Sequence, residues 1–525
     1  MPKWMPVVVV VAALAGLAWW LSDGPRDAAA PSTAAVATPA PTTKSAPKTL
    51  RVGLVALPPE RGYPYNSTGL PTIYTYRAIF DGLTFVTNDG EVLPYLATAW
   101  KQVDPLTWRF TLRENVTFSN GKPFTADAVV FAVEHLRSPE ASTDAIAREL
   151  VGVQSAVAES PTSVLLKTSR AEPLLPAALE QLLIVEPEHF KAVGKEGFAA
   201  APIGTGPFMV KTWSNAKIEL DAFKGSWRAP KVDALELIAV PETSARVQGI
   251  LSDQIDLAVA MGREDVLALD AGGAAFTVTP SNSVLAVTFI LSKLPPGHPL
   301  LDKRVRQALN YAVNKQAYID ALFGGLTQAA SQPTTKSGFG YDPTIAPYPY
   351  DPEKAKALLA EAGHPKGFEF TVELTPAGGT ALSETYQQVA SDLAKVGVNM
   401  IIRAITVPQL VRGVQTGEWS GQAFNMNFSA ERTTDALRPV RLHSCLGMAP
   451  WYCDKGVTAK IEQAYATADL DARRALTQEI MRHYHDEAPV IWLHEVVLFE
   501  GMSKRVRGYR NDHTVISYQN IELVD

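Results

Sequence analysis

Between Thr107 and Leu136 the hydrophobic and polar positions change period from two to helical, and a turn signal marks the change. Trp108, Phe110 and Leu112 alternate with Thr107, Arg109, Thr111 and Arg113, which predicts a strand with one buried face. Asn120-Gly121 supplies the turn. Thr125 then stands at a helix N-cap position with Asp127 in the first turn, and Val129, Val130, Val133 and Leu136 form the apolar stripe that follows.

The alternation of strands and helices continues from Leu50 to the C-terminus. Leu50 to Val55 reads as a sheet strand. Asp302 caps a helix whose stripe is Val305, Ala308, Leu309, Ala312, Val313, Ile319, Leu322 and Phe323, and Gly324-Gly325 ends it. Asp351-Pro352 opens the next helix and Gly363 closes it. Leu382 to Val396 is amphipathic, stops at Gly397 and leads into the strand Val398 to Ile405. No internal repeat is present, which argues against a solenoid.

The N-terminus breaks this pattern. Met1-Pro2-Lys3 is followed by an uncharged apolar run of 17 residues, Met5 to Leu21. At ~1.5 Å per residue the run spans ~26 Å, just short of a bilayer core. Two fates stay open. Ala28-Ala29-Ala30 is a small-residue cleavage candidate, but Pro31 is unfavourable just past a scissile bond. An uncleaved anchor with Trp19 and Trp20 at the far interface is the preferred expectation, and no cysteine follows to make a lipoprotein. Pro25 to Pro47 has 19 of 23 residues as Ala, Pro, Ser or Thr, the composition of an extended tether.

Five blocks in this order resemble the extracellular solute-binding proteins of the dipeptide, oligopeptide and nickel class, family 5, which serve ABC importers. They are TWRFTLRENVTFSNGKPFTADAVVFAVEHL, Ile203-Gly204-Thr205-Gly206-Pro207-Phe208, Pro299 to Asn314 (PLLDKRVRQALNYAVN), Tyr350 to Gly363, and Glu487-Ala488-Pro489-Val490-Ile491-Trp492-Leu493. The resemblance implies an α/β, bilobal periplasmic-binding-protein fold with two hinge-linked lobes and an extra subdomain in the first. It implies residues 1–22 as signal or anchor, 23–48 as linker, 49–280 plus 490–525 as the first lobe with a subdomain near 76–204, and 281–489 as the second. Ligand would bind between the lobes of a monomer, and the partners would be an ABC permease and its ATPase.

Composition narrows the alternatives. A chain of 525 residues exceeds one hydrophobic core. A net charge of -6 without a long basic run argues against nucleic-acid binding. No G-x-S-x-G, P-loop or H-E-x-x-H motif occurs, and His494-Glu495 lacks the second histidine, so no catalytic residue, resident metal or cofactor is expected. An exported hydrolase acting on peptides or conjugates is the second reading. Cys445 and Cys453, eight apart in an exported chain, read as a disulfide closing a short loop, with two unpaired buried thiols as the alternative. Relatives often carry a small disulfide loop in this region.

Phe424 to Arg441, FNMNFSAERTTDALRPVR, is the candidate ligand loop. Peptide-binding relatives place here a pattern like W-x-x-D-Y-P-D-P, whose aspartate meets the peptide amine. In this chain Glu431 takes that position, Arg432 follows, and the Tyr-Pro-Asp-Pro run is missing. The expected ligand therefore carries an ionised group met by Glu431, Arg432, Asp435 and Arg438 and differs from a generic dipeptide. The competing reading is that these charges pair with one another in a solvated loop. Tyr65, Trp419, Phe424, Trp451 and Tyr452 are candidate aromatic walls, each with a core role as the alternative.

Overall fold

The computed structural model describes residues 47–524 except 68, 376–379 and 431–433. The targeting run and nearly all of the tether lie outside the described residues, as do Glu431 and Arg432. No helix of the described residues is long and apolar enough to cross a membrane.

Ten strands form the central sheet: β1 (Thr49–Leu54), β2 (Phe208–Trp213), β3 (Lys217–Ala222), β4 (Ala234–Ala239), β5 (Leu257–Met261), β6 (Ala275–Phe289), β7 (Glu369–Leu374), β8 (Asn399–Ala404), β9 (Ala423–Ser429) and β10 (Val490–Met502). Their spatial order is β8-β7-β9-β6-β10-β5-β1-β4-β3-β2. Only β6 and β10 are long enough to belong to both halves, and they pair antiparallel from Ala275↔Met502 to Thr288↔Val490. The ladder loses register between Pro280 and Val284. Proline has no N–H to donate, so its place in a central strand is at such an irregularity, where the extra residues bend the strand. β6 pairs with β9 only from Ser283 onward. The sheet thus changes from one half to the other across Pro280-Ser281-Asn282-Ser283.

One core gathers around β1 and β4, drawing on residues from Leu50 to Val259 and again from Val506 to Leu523. A second spans β5, the distal half of β6 and the helices after it, and a third forms around Val284, Phe428 and Trp492. A four-stranded sheet, Ala97–Asp104, Thr107–Leu112, Ser163–Thr168 and Val153–Ser160 in spatial order, packs under the helix Ala126–Arg137 as a subdomain of the first lobe. The fold is bilobal α/β.

Local logic is visible in these elements. Trp108, Phe110 and Leu112 are buried while Arg109 and Thr111 face out. Gly121 sits at a φ of 84°, and its N–H donates to the Phe118 carbonyl at 2.8 Å, closing the turn. Thr125 is the N-cap residue but its side chain makes no capping bond, so the helix is held by packing of Val129, Val133 and Leu136, while Val130 is half-buried. Asp302 and Asp351 do cap, accepting from the backbone N–H groups of Arg304 and Lys354 at 2.8 and 2.9 Å. The stripe after Asp302, expected as one helix, is two: Lys303–Ala312 and Lys315–Phe323. Val313 is extended, and Asn314 restarts the helix by accepting from the Ala317 N–H at 3.1 Å. A side chain that satisfies a free amide competes with helix continuation, and apolar spacing alone does not register it.

The glycines of Ile203 to Phe208 are explained by close approach. A Cβ at Gly204 would lie 2.1 Å from the Ile79 carbonyl oxygen, and one at Gly206 would lie 2.6 Å from it. That contact fixes the end of the helix Leu70–Ile79 beside Asp81, which is fully buried and accepts from Thr205 Oγ1 at 2.8 Å, Trp227 Nε1 at 2.9 Å and Arg228 Nε at 2.6 Å. Arg228 is also buried and donates to the Arg77 carbonyl and to Gln519, tying in the C-terminal segment. Cys445 and Cys453 are joined, closing the loop that carries Trp451 and Tyr452.

Removing one member of a buried ion pair leaves the other charge uncompensated, at a cost of about 3–5 kcal/mol. Asp81→Ala is therefore expected to lower the urea midpoint by a corresponding amount. Asp81→Ala with Arg228→Met should be less destabilised than either single change plus the other; strict additivity would count against the pair.

Candidate functional site

Past β9, the described residues resume at Thr434 and lead into a helix that contacts the subdomain. Thr434 has a positive φ of 53°, and Asp435 bridges to Phe339, whose N–H is bonded to the Thr434 carbonyl. Asp435 is buried and accepts from Arg473 at 2.7 Å and from the Leu437 N–H at 3.0 Å. Arg473, also buried, comes from the helix Leu470–Glu487 and lies against the Tyr465 ring, 5.2 Å from its centroid. Arg438, in the helix Leu437–His443, forks onto Glu149 of the subdomain with contacts of 3.1 and 2.5 Å, and its third nitrogen donates to the Ser429 carbonyl at 2.9 Å.

This fork crosses from one lobe to the other. A second crossing contact lies beside it, where Arg170 of the subdomain packs on the Tyr465 ring at 4.9 Å. Between them is a cavity of about 130 Å³. The first lobe contributes Arg148, Glu149, Arg170 and Glu172, and the second contributes Asp435, Arg438, Arg441 and Tyr465. Burial beside Asp435 pushes the Tyr465 phenol well above its ordinary range, so it stays protonated. A space with guanidinium forks, carboxylates and one aromatic face between two hinged lobes is suited to gripping a small polar solute on closure.

At the hinge, Asn282 is buried; its carbonyl oxygen accepts from the Ala430 N–H and its side-chain oxygen from Thr335 Oγ1 at 2.8 Å. Its Nδ2 has no partner among the described residues. Glu500, on β10, is buried with its carboxyl accepting from Thr279 Oγ1 at 2.8 Å and from Asn511 Nδ2. Burial pushes this carboxyl up to about 7.

Of the residues singled out from sequence, Asp435 and Arg438 line the interlobe cavity. Glu431 and Arg432 lie outside the described residues. Trp419, Phe424 and Trp451 pack on one another in a cluster with Ile290, Trp419 stacking on Phe424 at 4.2 Å, and none of the three lines that cavity. Tyr65 is fully buried in the first core, its hydroxyl donating to the Leu183 carbonyl at 2.7 Å. Tyr452 donates toward Asp454 and meets His483. No group of three or more His, Cys, Asp or Glu side chains that could hold a metal ion occurs among the described residues. His494 is buried, and its pKa falls to about 3. Sequence reasoning missed Arg148, Glu149, Arg170, Glu172 and Tyr465, and it included Arg441 only as the end of the candidate loop. Glu149 and Arg438 are 289 positions apart, and no local pattern announces such a pair.

Two lobes joined by two long strands, closing on a polar cavity, define a bilobal solute-binding protein. Residues 91–439 match the family described as bacterial extracellular solute-binding proteins, family 5, and the chain belongs to that family. It is 28% identical to di/tripeptide-binding protein 2 of Pseudomonas aeruginosa, over 88% of this chain and 92% of that protein. It is 29% identical to the nickel-binding periplasmic protein of Escherichia coli, over 79% and 83% respectively. Among solved structures, the fold matches the substrate-binding protein CtaP of Listeria monocytogenes with a TM-score of 0.80 at 20% identity, covering 91% of this chain and 99% of that one. The protein is the substrate-binding component of an ABC importer: it captures a small solute between its lobes and hands it to the permease and its ATPase. It is not a hydrolase.

The raised Glu500 gives a test at the hinge. A carboxyl whose folded pKa lies above its ordinary 4.5 contributes stability that is fully present below about 4.5 and is lost as pH rises through about 7. Glu500→Gln should leave the thermal midpoint nearly unchanged at pH 5 and raise stability at pH 8 by up to about 3 kcal/mol. A variant equally destabilised at both values would mean that Glu500 is ionised in the fold.

Proposed function

We propose that the solute carries an ionised group met by the loop holding Glu431, Arg432, Asp435 and Arg438, and that it is not a generic dipeptide. One observation carries this reading: Asp435 and Arg438 line the interlobe cavity, and Arg438 reaches the opposite lobe. Two features support it further. The loop has Glu431 where peptide binders place an aspartate and lacks their Tyr-Pro-Asp-Pro run, and the named ligands of relatives, di/tripeptides, nickel and glutathione, already differ widely in chemistry. Asp435 and Arg438 already pair with Arg473 and Glu149, so the solute's ionised group joins a preformed charge network, and a solute without that group forgoes its charge-assisted bonds. The first lobe is taken as 49–280 plus 490–525 with a subdomain near 76–204, and the second as 281–489, a division supported by the register break of β6 beside Pro280. Lobe closure around the solute shifts the population toward the form the permease engages.

Calorimetry against dipeptides and small organic acids is expected to show weak or absent binding for most dipeptides. The true ligand should bind at roughly micromolar affinity, about 8 kcal/mol. Glu431→Ala and Arg432→Ala should each weaken that binding by about 2–5 kcal/mol. Unchanged affinity in both would place the site elsewhere in the cleft.

The apolar run and the tether that follows it support export, as a monomer held at the periplasmic face of the inner membrane by Met5 to Leu21. In that oxidising compartment Cys445 and Cys453 are bonded. Native protein should therefore show no free thiol on denaturing, non-reducing titration, and its intact mass should include Met1 to Leu21. Two free thiols would contradict the disulfide, and a mature N-terminus near Pro31 would contradict the anchor.

A further inference from the structure

Among the described residues, the charges around the interlobe cavity do not balance, and the imbalance has one sign. Each carboxylate there already has a cation: Glu149 takes Arg438, Glu172 takes Arg170 at 2.7 Å, and Asp435 takes Arg473 from behind at 2.7 Å. Arg148 and Arg441, one from each lobe, line the same cavity, are exposed, and make no ion pair among the described residues. These two guanidinium groups face one space, and no carboxylate of the described residues pairs with either of them. Like charges brought together in a narrowing cleft repel, and the repulsion is relieved by an anion that accepts from both. Guanidinium forks match the paired oxygens of a carboxylate or phosphate.

We propose that this cavity is an oxyanion subsite, in which Arg148 and Arg441 reach from opposite lobes to a carboxylate or phosphate group of the transported solute. The proposal rests on the reading that the cleft captures an ionised solute, and it adds the sign of the group and the two residues that receive it. The anion then acts as a cross-link: with the open lobes it meets one arginine, and with the closed lobes it meets both, so its differential affinity favours closure. Tyr465, with Arg170 and Arg473 against its ring, supplies a flat wall beside the anion.

The test uses the full chain and three solute panels in low salt: mono- to tricarboxylates, sugar phosphates with inorganic phosphate, and polyamines. Thermal shift finds hits, and calorimetry gives their affinities. At least one carboxylate or phosphate should stabilise the protein while polyamines do not, and the panel that contains it distinguishes the two oxyanion sources. Arg148→Gln and Arg441→Gln should each weaken that hit roughly tenfold, and the double variant should weaken it further, with affinity falling as salt rises. Both side chains are exposed and make no ion pair with the described residues, so the ligand-free melting midpoint of the variants should match the parent.

No oxyanion hit, a polyamine hit, or a hit bound equally by the double variant overturns the proposal. Arg432→Ala separates the two readings. If it weakens the hit while Arg148→Gln and Arg441→Gln do not, the loop reading stands and the oxyanion subsite falls. If none of the three matters, both fall.

Discussion

The two long strands Ala275–Phe289 and Val490–Met502 are the constraint on which the rest of the molecule depends. They are paired to each other along their length, and every other strand of the central sheet attaches on one side of them or the other. A sheet that continuous would be a rigid plate if its ladder were unbroken. The Pro280 irregularity removes hydrogen bonds where the two halves meet, so the covalent link is kept while the local stiffness is reduced. Hinges of this kind absorb rotation in a few residues and leave packed cores on either side undisturbed.

Both lobes hold their shape through buried polar nodes as well as apolar packing. Asp81 gathers Thr205, Trp227 and Arg228 in the first lobe, and Arg306 in the second donates to the carbonyls of Leu300, Leu301 and Glu487. Such nodes are expensive to leave half-satisfied, so each pins several segments to one arrangement. Rigid lobes are what make a hinge useful, because a small rotation then moves residues at the cleft mouth together.

At that mouth the interactions are weaker and more exposed. Arg438 with Glu149 and Arg170 on Tyr465 are contacts between partly solvated groups, a class worth about a kilocalorie or less each. Closure held by such contacts is readily reversible. That suits a protein that must release its solute to a permease, since a deeply apolar interface would hold the lobes shut.

Local elements were legible in the sequence because their signals are local. The strand at Trp108, the Asn120-Gly121 turn and the caps at Asp302 and Asp351 lie where the residues indicate, and ordered motifs pointed to the bilobal family. The split at Asn314 was missed because a side-chain cap competes with an apolar stripe that continues through it. Phe424, Trp419 and Trp451 show the limit of residue type: an aromatic wall and an aromatic core have the same composition, and only packing on Ile290 distinguishes them. Glycines such as Gly204 explain themselves only once the Ile79 carbonyl is seen beside them. Asp435 and Arg438 could be singled out in the sequence, but their partners across the cavity were decided by tertiary structure alone, because Arg148 and Arg170 lie more than 200 positions before Arg441 and Tyr465, and proximity across a hinge leaves no periodicity in either segment.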